Sequence, residues 1–209
     1  MKTNKVNEVL KFRDAQAFEE EMTSILAADA GEENVVIALL DMDHMMIVND
    51  KFGSAVGDDV LIGIGRHMAE SVAGKGEVFR IRGDEFAILF KGEMEKEDVF
   101  LLMEKVRSTM DVKTPDGEQV TVSIGIAAAF EDAVRYQELF RKAESAMFRV
   151  KYAGKNRVAL CREEKMVPKT SHYTSDQLKR LSKLSKREGI GEAVLLREAL
   201  DMLLKHYDV

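Results

Sequence analysis

The chain of 209 residues lacks the features that mark secreted and membrane proteins. It has a single cysteine, Cys161, which excludes an internal disulfide framework and fits a reducing compartment. No stretch approaches the roughly 18 consecutive apolar residues of a membrane span, and the first residues lack the apolar core of a signal peptide. The sequence therefore predicts a soluble, cytoplasmic protein that makes no membrane contact.

Proline is also scarce, and its positions help to divide the chain. One of the two prolines lies in a Thr-Pro-Asp-Gly turn at 114–117, and the other, Pro168, lies in a polar connector. With 45% hydrophobic residues, the chain has enough apolar material for a packed core. We expect a main domain at 1–161, a linker at 162–168 and a small C-terminal domain at 169–209.

The two parts differ in charge. The whole chain has a net charge of −6, yet residues 162–209 contain 10 basic against 8 acidic residues. Such an asymmetry can mark a part that faces nucleic acid, although charge alone favours a mixed solvated surface.

The main domain alternates strand and helix patterns. Val35–Leu40 is a continuous apolar run, typical of a buried central strand. Glu77–Arg82 and Glu85–Phe90 are typical of two strands around a tight Gly83-Asp84 turn. The other expected elements are helices at about 57–72, 95–110 and 135–152, and strands at Gln119–Ala128 and Arg157–Leu160. Because of the hairpin, the predicted fold class is α/β with a mixed sheet flanked by helices.

Two aspartates lie at the ends of predicted strands, where α/β proteins commonly bind their ligands. Asp41 follows the buried strand, and Asp84 lies at the tip of the hairpin. Two carboxylates from adjacent sheet elements can hold a hard cation, and Mg²⁺ suits them because it takes carboxylate, phosphate and water oxygens. The alternative is that Asp41 caps a helix and Asp84 is an ordinary turn residue.

The surrounding residues resemble the diguanylate cyclase (GGDEF) family. The resemblance rests on Asp41-Met-Asp-His-Met-Met-Ile-Val-Asn-Asp-Lys-Phe-Gly53 with Gly57-Asp58, on Phe79-Arg-Ile-Arg-Gly-Asp-Glu-Phe86, and on Ala143–Val158. These segments occur in the family's order and spacing over about residues 33–160. The resemblance implies a palm-like sheet.

The resemblance also implies a site. Asp41, Asp84 and the Met42 carbonyl would bind Mg²⁺ or Mn²⁺, and the catalytic residues would be Asp41, Asp84 and Glu85. The implied substrate-binding residues are Asn49 and Asp58 on the guanine edge, Lys151 and Lys155 on the triphosphate, and His44, Met45 and Gly83 around the nucleotide. Lys151 and Lys155 are expected four residues apart on one helix, hence on one face.

The reaction implied by the family joins two GTP molecules, one on each subunit of a homodimer, into cyclic di-GMP. Several positions depart from the family pattern. Met46 replaces a lysine, Arg82 replaces the first glycine of the signature and is expected to restrict the hairpin, and Ser54 replaces a histidine. The inhibitory R-x-x-D motif is absent at 73–76. Two functions remain open: an active cyclase, or a weak or inactive domain that senses GTP or cyclic di-GMP.

The C-terminal segment contains a short polar strand pattern and two helical patterns. Lys169–Tyr173 is strand-like, and Thr174-Ser-Asp-Gln177 predicts a capping box at the start of the first helix. A second helix is expected at about Glu192–His206, after a Gly189 turn. Two such short helices cannot bury a sufficient core alone, so the segment needs a partner surface.

This segment resembles the ribbon-helix-helix family, in which two chains pair their strands into a ribbon that enters the DNA major groove. The resemblance implies that Lys169, Ser171 and Tyr173 face the bases of double-stranded DNA. It also implies that the backbone of Gly191, Glu192 and Ala193 meets a phosphate. The alternative is a segment that only dimerises.

Overall fold

The computed structural model describes residues 5–28, 33–162, 169–188 and 191–207. The chain divides into two compact units, Met1–Glu163 and Glu164–Val209. In chain order, the described elements of the first unit are α1 (Lys5–Leu10), β1 (Arg13–Asp14), α2 (Ala15–Ala27), β2 (Asn34–Met42), α3 (Met45–Phe52), α4 (Ser54–Ser71), β3 (Gly76–Arg82), β4 (Glu85–Gly92), α5 (Lys96–Ser108), β5 (Val122–Ala128), α6 (Tyr136–Tyr152) and β6 (Val158–Leu160).

The strands form one sheet with β2 near its centre. The order is β1-β3-β4-β2-β5-β6, and β2 is antiparallel to both β4 and β5. The outer pairs β1–β3 and β5–β6 are parallel. The expected α/β fold with a mixed sheet is therefore confirmed.

The sheet is buried on both faces, which explains the continuous apolar run. Alternate residues of β2 point to opposite faces because side chains in a strand alternate with a period of two. Val36, Ala38 and Leu40 pack in one cluster with residues of α4 and α5. Val35, Ile37 and Leu39 pack in the other cluster with residues of α2 and α6.

Helix α6 lies very close to the sheet at Gly125. A Cβ atom on this residue would lie 2.0 Å from the Ala143 carbonyl oxygen and 2.4 Å from the Met147 nitrogen, both in the backbone of α6. Only glycine allows this approach, which brings the C-terminal half of α6 against the centre of the sheet.

The predicted elements of the first unit all occur, with some corrections. The strand expected at Gln119–Ala128 begins at Val122, and Gln119 forms only an isolated bridge with Lys113. Three helices were not predicted from the sequence, namely α1, α2 and α3.

The second unit contains α7 (Ser175–Glu188) and α8 (Glu192–His206) within its described residues. The predicted capping box is confirmed: the Gln177 nitrogen donates to Thr174 Oγ1 at 3.2 Å, and the Thr174 nitrogen donates to Gln177 Oε1 at 2.9 Å. In the single chain, Lys169–Tyr173 form no ladder with the described residues. The expected strand would pair with the same segment of a second chain, so it stays a prediction. The linker prediction at 162–168 and the Gly189 turn lie almost wholly outside the described residues.

Across the described residues, no helix combines the length and the apolar composition needed to cross a membrane.

Candidate nucleotide and metal site

A row of polar side chains crosses the sheet where β2 ends. Asp41 is the direct cross-strand partner of Glu85 on β4 and of Ser123 on β5. Residues directly opposite each other in an antiparallel pair project from the same face, so the three side chains share the face covered by α6. Lys151 of α6 reaches this row and donates a hydrogen bond from Nζ to Asp41 Oδ1.

Negative charge accumulates around Asp41. Asp41 is only 6% exposed. This burial raises the pKa of its carboxyl group to about 7, and the nearby charge of Asp84 adds to the rise. The Lys151 ammonium opposes this rise, and Glu85 adds to it. The site therefore has more negative charge than its own cation balances.

This donor set fits a hard divalent cation. Asp84 lies at the hairpin turn, and its carbonyl oxygen accepts a hydrogen bond from the Met42 nitrogen at 3.4 Å, so the turn is attached to the end of β2. No group of three His, Cys, Asp or Glu side chains among the described residues is arranged to hold a metal alone. Asp41 and Asp84 would therefore need the Met42 carbonyl and phosphate oxygens to complete a coordination sphere, which is the mixed set that Mg²⁺ commonly takes.

The hairpin accommodates Arg82 within β3, where the register with β4 shifts between Arg80 and Arg82. The left-handed conformation falls on Gly83, with φ of 47°, whereas Arg82 stays within β3. Its guanidinium contacts Glu85 and Glu144.

The first turn of α3 forms a second wall of the site. His44 precedes α3 in a left-handed conformation, with φ of 62°, which starts the helix immediately after Asp43. The N–H groups of a helix's first turn can bind phosphate oxygens, and Met45 lies in that turn. Met46 is 66% exposed and supplies no cation there.

The side-chain oxygen of Asn49 lies between α3 and α4. Asn49 Oδ1 is buried, and no hydrogen-bond partner for it occurs in the described part of the chain. It lies against Gly57, where a Cβ atom would be only 2.1 Å away. Asp58 follows Gly57 on α4, so the two predicted guanine-binding residues lie on adjoining helices.

The two predicted phosphate-binding lysines do not share a helix, and that expectation was wrong. Helix α6 ends at Tyr152, and Lys155 lies in the turn that follows. Gly154, Lys155 and Asn156 have φ of 109°, 63° and 49°. The Lys155 nitrogen donates to the Val150 carbonyl at 2.9 Å, so the turn folds back on the end of the helix.

Asp43 organises this region, although it was not among the predicted site residues. Its carboxylate is buried and accepts hydrogen bonds from Thr121 Oγ1 at 2.7 Å, Ser123 Oγ at 2.7 Å and the Asn156 nitrogen at 3.0 Å. It thereby joins the end of β2 to β5 and to the turn that contains Lys155. The available signal was the period of two, which puts Asp43 on the same face as Asp41.

The predicted DNA-binding residues lie in the second unit. Lys169, Ser171 and Tyr173 are exposed, and Gly191, Glu192 and Ala193 are exposed at the start of α8. The Gly191 carbonyl accepts a hydrogen bond from the Leu195 nitrogen at 3.2 Å, so the N–H groups of the first turn of α8 have no partner within the helix.

The mixed sheet flanked by helices, with a row of acidic side chains where its central strand ends, defines the class of protein as an α/β domain with a charged site at the edge of the sheet. Residues 11–157 match the family model described as diguanylate cyclase, GGDEF domain. Since this match covers more than half of the chain, the chain belongs to the GGDEF family. Residues 166–208 match the model of a ribbon-helix-helix domain.

Similar proteins agree with this assignment. The GGDEF domain of YfiN (TpbB) from Pseudomonas aeruginosa is 25% identical, with a TM-score of 0.68, and the match covers 74% of this chain and 99% of that one. The coiled coil and GGDEF domain of DgcB from Caulobacter crescentus, solved with c-di-GMP, is 26% identical, with a TM-score of 0.64 and coverage of 74% and 84%.

Curated relatives are longer. The probable diguanylate cyclase DgcC from Escherichia coli K12 is 27% identical over 126 residues, which are 59% of this chain and 34% of the relative. The chain thus spans about a third of that relative's length.

The contact between Asn49 and Gly57 generates a first prediction. Gly57→Ala places a methyl group against Asn49 Oδ1 and should move the amide, lowering the affinity for a non-hydrolysable GTP analogue roughly tenfold. The thermal stability should change little, because the gain of about 1 kcal/mol from alanine in a helix interior opposes the cost of moving the Asn49 and Met45 side chains. Calorimetric titration and thermal unfolding measure the two effects.

Gly63→Ala is the matched control on the same helix, since its Cβ would meet only the Val112 side chain, with the methyl groups at 3.2 Å. Equal losses of nucleotide affinity in both variants would contradict the assignment of Asn49 to the guanine.

A second prediction concerns Asp43. Asp43→Asn replaces one acceptor oxygen with a donor facing hydroxyl and amide donors, so we expect a loss of about 2–3 kcal/mol in the free energy of unfolding, measured by urea titration. Asp111→Asn is the control, because Asp111 forms only an exposed ion pair with Lys113. A loss at Asp43 no larger than at Asp111 would refute the organising role.

Proposed function

We propose that the first unit binds GTP with a divalent cation, and that two copies condense two GTP molecules into cyclic di-GMP. The observation that carries this proposal is the buried Asn49 Oδ1, which has no hydrogen-bond partner among the described residues and lies near Asp58. It is at one end of a site whose other end is the acidic row at Asp41. A guanine base and a metal-bound triphosphate are complementary to these two ends.

The guanine edge suits the residues on α3 and α4. Guanine presents two donors, N1–H and the 2-amino group, whereas adenine presents an acceptor at N1. The Asp58 carboxylate can accept both guanine donors, and Asn49 Oδ1 supplies a further acceptor. The site therefore favours guanine over adenine.

The triphosphate would lie between the start of α3 and the end of α6. Backbone N–H groups of the first turn of α3 would hold phosphate oxygens, and Lys155 would add a cation from the turn after α6. Lys151 is paired with Asp41 in this structure and would exchange that carboxylate for a phosphate oxygen. A metal held by Asp41, Asp84 and the Met42 carbonyl would supply charge stabilisation at the phosphoryl oxygens.

Each chain holds one such site, so joining two nucleotides requires two chains. The 3′-hydroxyl of each GTP would attack the α-phosphate of the other, and pyrophosphate would leave in each step. The second unit supplies a reason to dimerise: α8 exposes apolar side chains to solvent, with Met202 67% and Leu203 52% exposed, and small helical units bury such residues against a partner.

We further propose that the paired second units bind double-stranded DNA and that this binding is coupled to the nucleotide state. The support is the ribbon-helix-helix match at 166–208 together with the exposed Lys169, Ser171 and Tyr173.

A second candidate function is a sensor that binds GTP or cyclic di-GMP without turnover. Two observations favour it: Met46 is exposed where the family has a phosphate-binding lysine, and Arg82 holds the carboxylate of Glu85.

The cyclase prediction is tested with the full chain, GTP and Mg²⁺, with products resolved by mass. We expect cyclic di-GMP from the natural sequence and a loss of about a hundredfold or more in rate for Asp84→Asn, because the metal loses a charged ligand. Asp59→Asn is the control, since Asp59 makes an exposed ion pair with Lys5. Tight GTP binding without any product would favour the sensor instead.

DNA binding is tested by fluorescence anisotropy with a random duplex over a range of salt. We expect the affinity to fall as salt rises, and Lys169→Gln to reduce the slope of log affinity against log salt by about 0.9 for each phosphate that this lysine neutralises. Lys75→Gln, an exposed lysine of the first unit, should leave the slope unchanged. Affinity that depends neither on salt nor on Lys169 would mean that the second unit only dimerises.

A further inference from the structure

Arg82 makes a bidentate contact with one glutamate and a further contact with another. Its Nε donates to Glu85 Oε2 at 2.7 Å and its Nη2 to Glu85 Oε1 at 3.2 Å. The same Nη2 donates to Glu144 Oε1 of α6 at 2.9 Å. The guanidinium therefore joins the hairpin to α6 through two carboxylates.

Glu85 connects Arg82 to the proposed metal site. It is 8% exposed, lies directly opposite Asp41 in the ladder, and projects from the same face. A carboxylate in that position adds negative potential at Asp41, which attracts a cation to the acidic row.

We infer that Arg82 is a positioning residue that holds Glu85 against α6 and thereby lowers the affinity of the site for divalent metal. This inference rests on the proposed function only in requiring a metal at Asp41 and Asp84. The GGDEF signature has glycine at the position of Arg82, and glycine has no side chain that could hold the neighbouring glutamate. The proposed effect on metal affinity is therefore restricted to chains that have a residue such as Arg82 there.

Two physical effects act in the same direction. The guanidinium cancels the charge of Glu85, which weakens the attraction of a cation to the acidic row. The bidentate geometry also fixes the orientation of the Glu85 carboxylate, because both of its oxygens are committed to Arg82. Removing Arg82 restores the negative charge and frees the carboxylate to turn toward Asp41.

The test measures binding of Mn²⁺ alone to the full chain, by electron paramagnetic resonance of the free ion, without nucleotide. Arg82→Gln and Arg82→Gly should each lower the Mn²⁺ dissociation constant about three- to tenfold, the range expected for a half-exposed charge near the site. Thermal unfolding of each variant verifies that the domain is folded.

A matched control is Arg13→Gln. Arg13 also bridges two carboxylates, Glu21 and Glu77, and its side chain is 45% exposed against 56% for Arg82. Glu77 lies five residues from Arg82 along β3, or roughly 17 Å. We expect a change in the Mn²⁺ dissociation constant of less than about twofold.

The double variant Arg82→Gln/Glu85→Gln separates positioning from simple charge. Against Glu85→Gln alone, the added Arg82→Gln change should tighten Mn²⁺ clearly less than Arg82→Gln does in the natural sequence, because only the direct effect of the guanidinium charge is left and no carboxylate is released. An equal gain with and without Glu85, or unchanged affinity in both single Arg82 variants, would overturn the inference while leaving the proposed function intact. No Mn²⁺ binding by any folded variant would overturn the proposed metal site, and the inference with it.

Discussion

The antiparallel register of β2 with β4 and β5 is the constraint on which the rest of the site depends. It places Asp41, Glu85 and Ser123 in one row on one face, at the end of a strand that is otherwise apolar. Burying carboxylates side by side costs free energy, and the rise in the pKa of Asp41 to about 7 is the sign of that cost. The apolar packing of α6 on the sheet supports the row, and Lys151 from the same helix partly neutralises it.

The backbone next to the acidic row is strained, and the surrounding contacts hold it in this strained conformation. His44 on one side and the Gly154–Asn156 turn on the other adopt left-handed conformations that cost free energy for residues other than glycine. Asp43 lies between them and accepts a hydrogen bond from the Asn156 nitrogen. On the outer side, Arg107 of α5 donates to Asn156 Oδ1 at 2.8 Å. Strain of this kind persists where several contacts determine the same geometry, and here it shapes the phosphate end of the site.

Much of this arrangement was predictable from local patterns, and the failures have a common physical cause. The period of two, the Gly83-Asp84 turn and the capping box depend on neighbouring residues and were all placed correctly. The role of Asp43 depends on partners about 80 or more residues away, which no local pattern reveals. The end of α6 was predicted correctly, but Lys155 was wrongly placed on that helix, because it lies beyond Gly154, whose φ of 109° is incompatible with a continued helix. The segment Lys169–Tyr173 has no strand to pair with in a single chain, so the predicted strand can form only when a second chain is present.

The proposed chemistry and the proposed dimer impose the same symmetry. Cyclic di-GMP contains two equivalent phosphodiester bonds, so two identical sites related by a twofold axis can each make one of them. A ribbon-helix-helix pair also has a twofold axis, and in the proposed dimer tethering each GGDEF unit to it would raise the effective concentration of the two half-sites. Since DNA binding and nucleotide binding would then act on one dimer, any effect of nucleotide on DNA affinity requires an equal effect of DNA on nucleotide affinity.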